Sequence, residues 1–203
     1  MSSPAHTEQR HLGLRERKKA KTRRTIQEHA LRLFTEQGYE NTTVEQIAEA
    51  AEISPSTFFR YFPTKEDTVI QDEYDPMIAE AFLAQPATLT PLAAMRAAVR
   101  QVFGRIMPQD EQTILQRSRL IWSIPSLRAR QVDGQVAAMT MLREVMTQRT
   151  GRSPDDFHLR VLAGAIAGAW IAAIETWIES DGEESLADLM DRVLVLLEEG
   201  LPL

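Results

Sequence analysis

The chain has 203 residues, 43% of them apolar and 6% aromatic, which bounds it to one large or two small domains around an ordinary helical core. With no cysteine it excludes disulfides, thiolate metal sites and a cysteine nucleophile, and it points to a reducing cytoplasm. The formal charge of −6 argues against nucleic acid as a whole-chain average, but the charge is not evenly spread.

Residues 1–65 hold 11 Lys and Arg against 8 Asp and Glu. Eight cations (Arg10, Arg15, Arg17, Lys18, Lys19, Lys21, Arg23 and Arg24) stand between residues 10 and 24 against Glu16 alone. Residues 1–14 read as a disordered basic arm, and a first helix is predicted over about 17–37. Its stripe of Ile26, Ala30, Leu33 and Phe34 faces a core, and Gly38 ends it. Thr43 then caps a short helix, with Gln46 as the reciprocal partner of a capping box. Val44, Ile47, Ala48 and Ala51 form one apolar stripe on it. Ser54 followed by Pro55 starts a second short helix, Pro63 closes it, and Thr64 with Asp67 caps the next. Short helix, turn, short helix is the geometry that sets a second helix into a DNA major groove, and a basic arm beside it suits phosphate neutralisation.

The remaining helices are predicted at 65–85, divided or kinked by Pro76, then at 91–107, 110–123 and 125–150. Gly151 stops the last of these. Ser153-Pro154 caps an eighth helix that runs to about Ser180, and a ninth runs from about Ser185 to Gly200. The expected fold is therefore all-α, with nine helices in two domains. Residues 15–64 form a helix-turn-helix domain, and residues 65–203 form a helical ligand-binding and dimerisation domain. No apolar leader opens the chain, and its longest apolar run, Val161 to Ile174, is shorter than the ~20 residues that span a bilayer. A soluble protein with no membrane partner is expected.

The first ~70 residues resemble the DNA-binding domain of the tetracycline-repressor (TetR) family of transcriptional regulators. The resemblance rests on Ala30-Leu31-Arg32-Leu33-Phe34, Gly38-Tyr39, Thr42-Thr43-Val44, Ile47-Ala48, Ala51, Ile53-Ser54, Thr57-Phe58-Phe59-Arg60-Tyr61-Phe62-Pro63 and Lys65-Glu66. Two residues depart from the family pattern. Glu52 stands where it has glycine in the turn, and Phe59 stands where it has a tyrosine whose hydroxyl could reach a phosphate. The resemblance implies a homodimeric transcriptional regulator, most simply a repressor, released from a pseudo-palindromic operator in double-stranded DNA by a small apolar or amphipathic ligand. The pattern after residue 110 loosely resembles members that sense lipophilic or acyl-CoA-like ligands. The competing reading is an all-α small-molecule binder or interaction protein whose helix-turn-helix does not read DNA.

Site residues follow from position. Ser54, Ser56 and Thr57 open the second short helix, the end that meets bases and phosphates. Phe58 could touch a thymine methyl or pack locally, whereas Phe59 and Phe62 are expected in the core. Tyr61 resembles the family's phosphate-contacting position. Thr43 and Lys65 lie at helix N-termini that favour phosphate, and Arg17, Lys18 and Lys21 supply the arm's contacts. The expected ligand pocket is lined by Phe82, Met95, Phe103, Arg119, Trp122, Met139, Trp170 and Glu175. Glu175 suits a buried ligand anchor or an interface pair equally well. The dimer interface is expected at Gly164, Gly168, Leu189, Val193, Leu194 and Leu197, with the resemblance implying two helices from each subunit. The four histidines are scattered and no HExxH, phosphate-binding glycine loop, GxSxG or EF-hand loop occurs, so neither an enzyme, a metal site nor a cofactor is expected.

Overall fold

The computed structural model describes residues 4–71 and 74–202, with side chains from Gly13 onward. Residues 1–3 of the predicted arm, the Arg10 side chain, and residues 72 and 73 of the predicted fourth helix lie outside the described residues. Nine helices and no strand are found among the described residues, the all-α architecture expected. They divide into two compact units, Met1–Gln71 and Asp72–Leu203.

In the first unit α1 (Pro4–Gln37) begins well ahead of residue 17. The segment expected to lack structure is thus helical from Pro4, in keeping with its Ala, Glu, Gln, Arg and Leu, which are good helix formers. Gly38, at φ +88°, ends the helix in the left-handed region. Thr43 caps α2 (Val44–Ala50) reciprocally: its Oγ1 accepts from Gln46 N–H at 3.3 Å, and the Gln46 side-chain oxygen accepts from Thr43 N–H at 2.9 Å. Ser54 caps α3 (Pro55–Tyr61), with Pro55 at the first helical position. The short α4 (Asp67–Ile70) packs against α1, which is why the first unit extends to Gln71 rather than ending at Thr64. Ile26, Ala30, Phe34, Ile47, Ala48, Phe58, Phe62 and Val69 fill the core between these helices.

The turn between α2 and α3 keeps its shape despite Glu52. Ile53 N–H donates to Ala48 carbonyl at 2.9 Å and Glu52 N–H to Glu49 carbonyl at 3.0 Å, the paired bonds that close a helix C-terminus. Glu52 itself sits at φ +55°, a conformation that favours glycine.

The predicted fourth helix is two. Gln71 is extended after α4, and α5 (Tyr74–Leu83) starts afresh. A helix continuous through Asp72 would press the Pro76 ring against the Asp72 carbonyl, whereas in the first turn of α5 the proline's missing N–H costs nothing. The predicted fifth and sixth helices are conversely one, α6 (Pro91–Ser123), with Pro108 inside it. Pro108 and Gly104, whose carbonyl loses its bond, both face solvent, so water can take up the freed acceptor. α7 (Pro125–Thr150) ends at Gly151, φ +67°, as expected. α8 (Phe157–Glu179) is capped by Asp156 rather than Ser153, and α9 (Leu186–Glu198) completes the unit.

The core of this unit joins Phe82, Met95, Val99, Phe103, Met146, Ile166, Trp177, Leu189 and Leu194. Arg149 ties the α5–α6 connection. Its guanidinium donates to the carbonyls of Phe82 at 3.3 Å, Gln85 at 3.0 Å, Pro86 at 2.6 Å and Leu89 at 3.2 Å. Asp191 locks α9 to α6, accepting from Arg96 Nε at 2.8 Å and Arg100 Nη2 at 2.7 Å. By length and composition α8 is apolar enough to cross a membrane, which a count of uninterrupted apolar residues does not register. Here it packs between α7 and α9.

Candidate nucleic-acid interface and ligand pocket

α3 presents a polar and an apolar face set by its caps and by its two buried aromatics. Ser54 Oγ accepts from Thr57 N–H at 3.1 Å and donates to Thr57 Oγ1 at 2.9 Å, and it lies 2.9 Å from Ser56 Oγ. Ser54, Ser56, Phe59 and Arg60 are exposed, and Thr57 and Tyr61 partly so. Phe58 and Phe62 are fully buried, whereas Phe59 is 52% exposed. Phe62 is in the core as expected and Phe58 takes the packed one of its two readings, whereas Phe59, expected in the core, is not there. Phe58 is core and cannot reach a base, while Phe59 faces outward. The core pair is four apart, Phe58 with Phe62 at 6.0 Å between ring centroids, not three.

Lys65 is more tightly engaged than a phosphate ligand need be. Its Nζ donates to the carbonyls of Tyr39 at 2.9 Å and Thr42 at 3.1 Å and lies 4.2 Å from the Tyr39 ring centroid. Beside it Glu66 is penalised by burial, yet hydrogen bonds, the Tyr39 hydroxyl's first among them, hold its carboxyl below the usual range. Thr43 is exposed at its capping position. Tyr61 carries the Arg60 guanidinium 5.5 Å from its ring centroid.

The basic stretch of α1 divides into two parts. Arg15, Arg17, Lys18, Lys19 and Lys21 are all exposed. Arg23 instead holds the unit together, donating to Tyr61 carbonyl at 3.3 Å with its guanidinium 4.4 Å from the Phe62 ring centroid. Arg24 pairs with Glu28 at 3.0 Å. Arg60 is the cation that sequence reasoning left out of the interface. The phase set by Phe58 and Phe62 puts it on the exposed face.

In the second unit a pocket opens among α5, α6, α7 and α8, lined by Ile78, Met95, Met141, Leu142, Val145 and Trp170 with Asp75 and two alanines. Its free volume is about 20 Å³. The Trp170 indole N–H is buried with no acceptor among the described residues. Of the expected lining only Met95 and Trp170 reach it. Phe82 and Phe103 are buried in the core. Met139 approaches α8, its Sδ 3.9 Å from where a Cβ on Gly164 would stand. Arg119 pairs with Asp181. Glu175 is exposed, not buried, and accepts from Trp122 Nε1 at 3.2 Å.

Leu189 and Leu194, expected between subunits, are 2% and 0% exposed within the single chain and belong to its own core. Val193 and Leu197 pack against that core from its edge. Gly168, in contrast, is exposed, and a Cβ there would meet nothing. It lies on an outward stripe of α8 with Phe157, Val161 and Ala172, and Leu196 of α9 is also exposed. Only 22% of the most apolar stretch of α8 is buried.

Comparison with known proteins places both units. Residues 26–70 match the model of the tetR family of bacterial regulatory proteins, and residues 89–202 match the MftR C-terminal domain. The chain is 36% identical over 180 residues to the HTH-type transcriptional regulator TcmR of Streptomyces glaucescens, covering 81% of this chain and 76% of that one. Its fold is similar to that of Thermus thermophilus FadR, a TetR-family transcriptional repressor solved with lauroyl-CoA: TM-score 0.54 and 25% identity over 89% of this chain and 95% of that one. FadR from Bacillus halodurans, a fatty acid degradation regulator, aligns with TM-score 0.59 and 21% identity over 88% and 98% of the two chains.

Proposed function

This chain belongs to the tetR family of bacterial regulatory proteins, and on that premise we propose that it is a homodimeric repressor that releases its operator when an apolar ligand enters the second unit. The observation that carries DNA reading is the face of α3, where Ser54, Ser56, Phe59 and Arg60 stand exposed, in a unit whose α1 also exposes Arg15, Arg17, Lys18, Lys19 and Lys21. Helix-turn-helix proteins place these residues against base edges and the flanking cations against phosphates. The pocket supports an apolar ligand with one hydrogen-bond acceptor for Trp170. The lauroyl-CoA bound by Thermus thermophilus FadR makes acyl thioesters the first compounds to test.

Selection of bound fragments from the source genome, followed by a salt titration, tests DNA reading. Each phosphate neutralised lowers the log–log slope by about 0.9, so affinity falls steeply with salt. A chain that selects no fragment is the non-reading binder instead. Titrating lauroyl-CoA against the DNA complex then tests release. Coupling of ~1–3 kcal/mol is expected, and DNA must weaken ligand binding by the same factor.

A further inference from the structure

We infer that Phe59 is a base-reading residue, which selects a thymine in each half-site by its 5-methyl group. The inference rests on the DNA-binding reading above and adds to it the chemistry read at one position. Phe59 is 52% exposed on a helix whose other two phenylalanines are fully buried, so the fold of the free chain does not account for it. Its one aromatic neighbour in α3 is Phe58, met edge-on at 5.6 Å and 88°. It stands one turn beyond Ser56 and next to Arg60, all three exposed, so the three side chains share one outward strip of α3.

A phenyl ring has no donor or acceptor, so this residue cannot position the protein on a phosphate oxygen. Its gain on binding must come from apolar surface removed from water. The apolar group that the floor of the major groove displays is the thymine 5-methyl, and phenylalanine is among the side chains that meet it. Sugar edges also offer apolar atoms, but they are the same in every sequence. The methyl contact is therefore the one that adds sequence preference. Arg60 beside it, its guanidinium over the Tyr61 ring, supplies charge to the same strip without competing for that methyl.

The test uses the full-length protein and a selected operator fragment in which each thymine is replaced, one at a time, by deoxyuridine. Only the 5-methyl is lost. For the wild type, one position per half-site should weaken binding about fourfold, the worth of one buried methyl group. For Phe59→Ala the penalty at that position should vanish, while all other positions behave as in the wild type. Because Phe59 is half exposed and alanine is the better helix former, this variant should melt with the wild type. Two results overturn the inference: no thymine at which the wild type feels the methyl, or an equal penalty in wild type and Phe59→Ala. The first needs no variant. A wild type that binds no fragment overturns the DNA-binding reading and takes this one with it, whereas binding with no methyl dependence overturns this one alone.

Discussion

Glu52 holds a left-handed conformation in which its Cβ crowds the backbone, at a cost of roughly 1–2 kcal/mol. The two hydrogen bonds that close α2 depend on that conformation. Glu52→Gly removes the crowding but returns about 0.5–1 kcal/mol of chain entropy to the unfolded state. The variant should therefore be more stable by about 0.5–1 kcal/mol in denaturant unfolding, with an unchanged fold. A less stable variant would mean that the Glu52 side chain makes a compensating contact. At this scale the sequence is readable where a rule has one solution. Thr43, Ser54, Pro55 and Gly38 occupy the caps assigned to them because each satisfies a backbone group that must be satisfied. The three phenylalanines of α3 are different. Spacings of three and four both fit a helix, and one residue of phase turns a side chain by about 100°. Only packing against α1, through Arg23 and Phe62, selects Phe58 as the buried one.

Elements were readable wherever local signals decide them, and misread where a distant partner does. α7 carries its own start and stop in Pro125 and Gly151. Pro108 reads as a break but is not one, because the exposed face of α6 tolerates a missing bond. Arg149 and Asp191 could not be found from spacing at all, since the groups they join lie 60 to 95 residues away in the chain. Asp191 makes a clear test. The Arg96 guanidinium, chiefly by hydrogen bonding, outweighs burial and holds its carboxyl below the usual range. A carboxylate with a lowered folded pKa stabilises fully above its unfolded value, about 3.9, and loses that contribution as the pH falls through the folded value. Asp191→Asn should thus cost about 2 kcal/mol at pH 7, the worth of charged hydrogen bonds. The gap between variant and wild type, followed by thermal melts, should stay constant down to about pH 4 and close below it. A gap that instead narrows near neutrality would assign the effect to another group.

For the molecule as a whole, the acidic total hides a basic first third, and only the local count exposes it. The proposed two-fold pairing is supported by surface left uncovered. The outward stripe of α8 through Val161 and Gly168, with Leu196 of α9, is left uncovered among the described residues. Gly168→Leu and Leu196→Asp should leave the monomer folded and weaken the dimer by about tenfold or more, as expected at an interface centre. Leu194→Asp should unfold the chain outright, because it buries an unpaired charge in the core. Sedimentation with circular dichroism separates these outcomes. If Gly168→Leu and Leu196→Asp both remain fully dimeric, the pairing surface lies elsewhere. Sequence periodicity marked α8 and α9 as apolar but could not tell which residues face inward, since both faces carry leucine, valine or alanine.

The nearly filled pocket sets a tempo. About 20 Å³ is room for one water, so no ligand of useful size enters until Met95, Met141 or Trp170 has moved aside. For a ligand that binds here as proposed, admission is expected to run at the bundle's own frequency of opening, and stopped-flow Trp170 fluorescence should show a rate that levels off as ligand concentration rises. Encounters briefer than that interval would then leave no mark, and the fold would average its input over time before DNA binding changes.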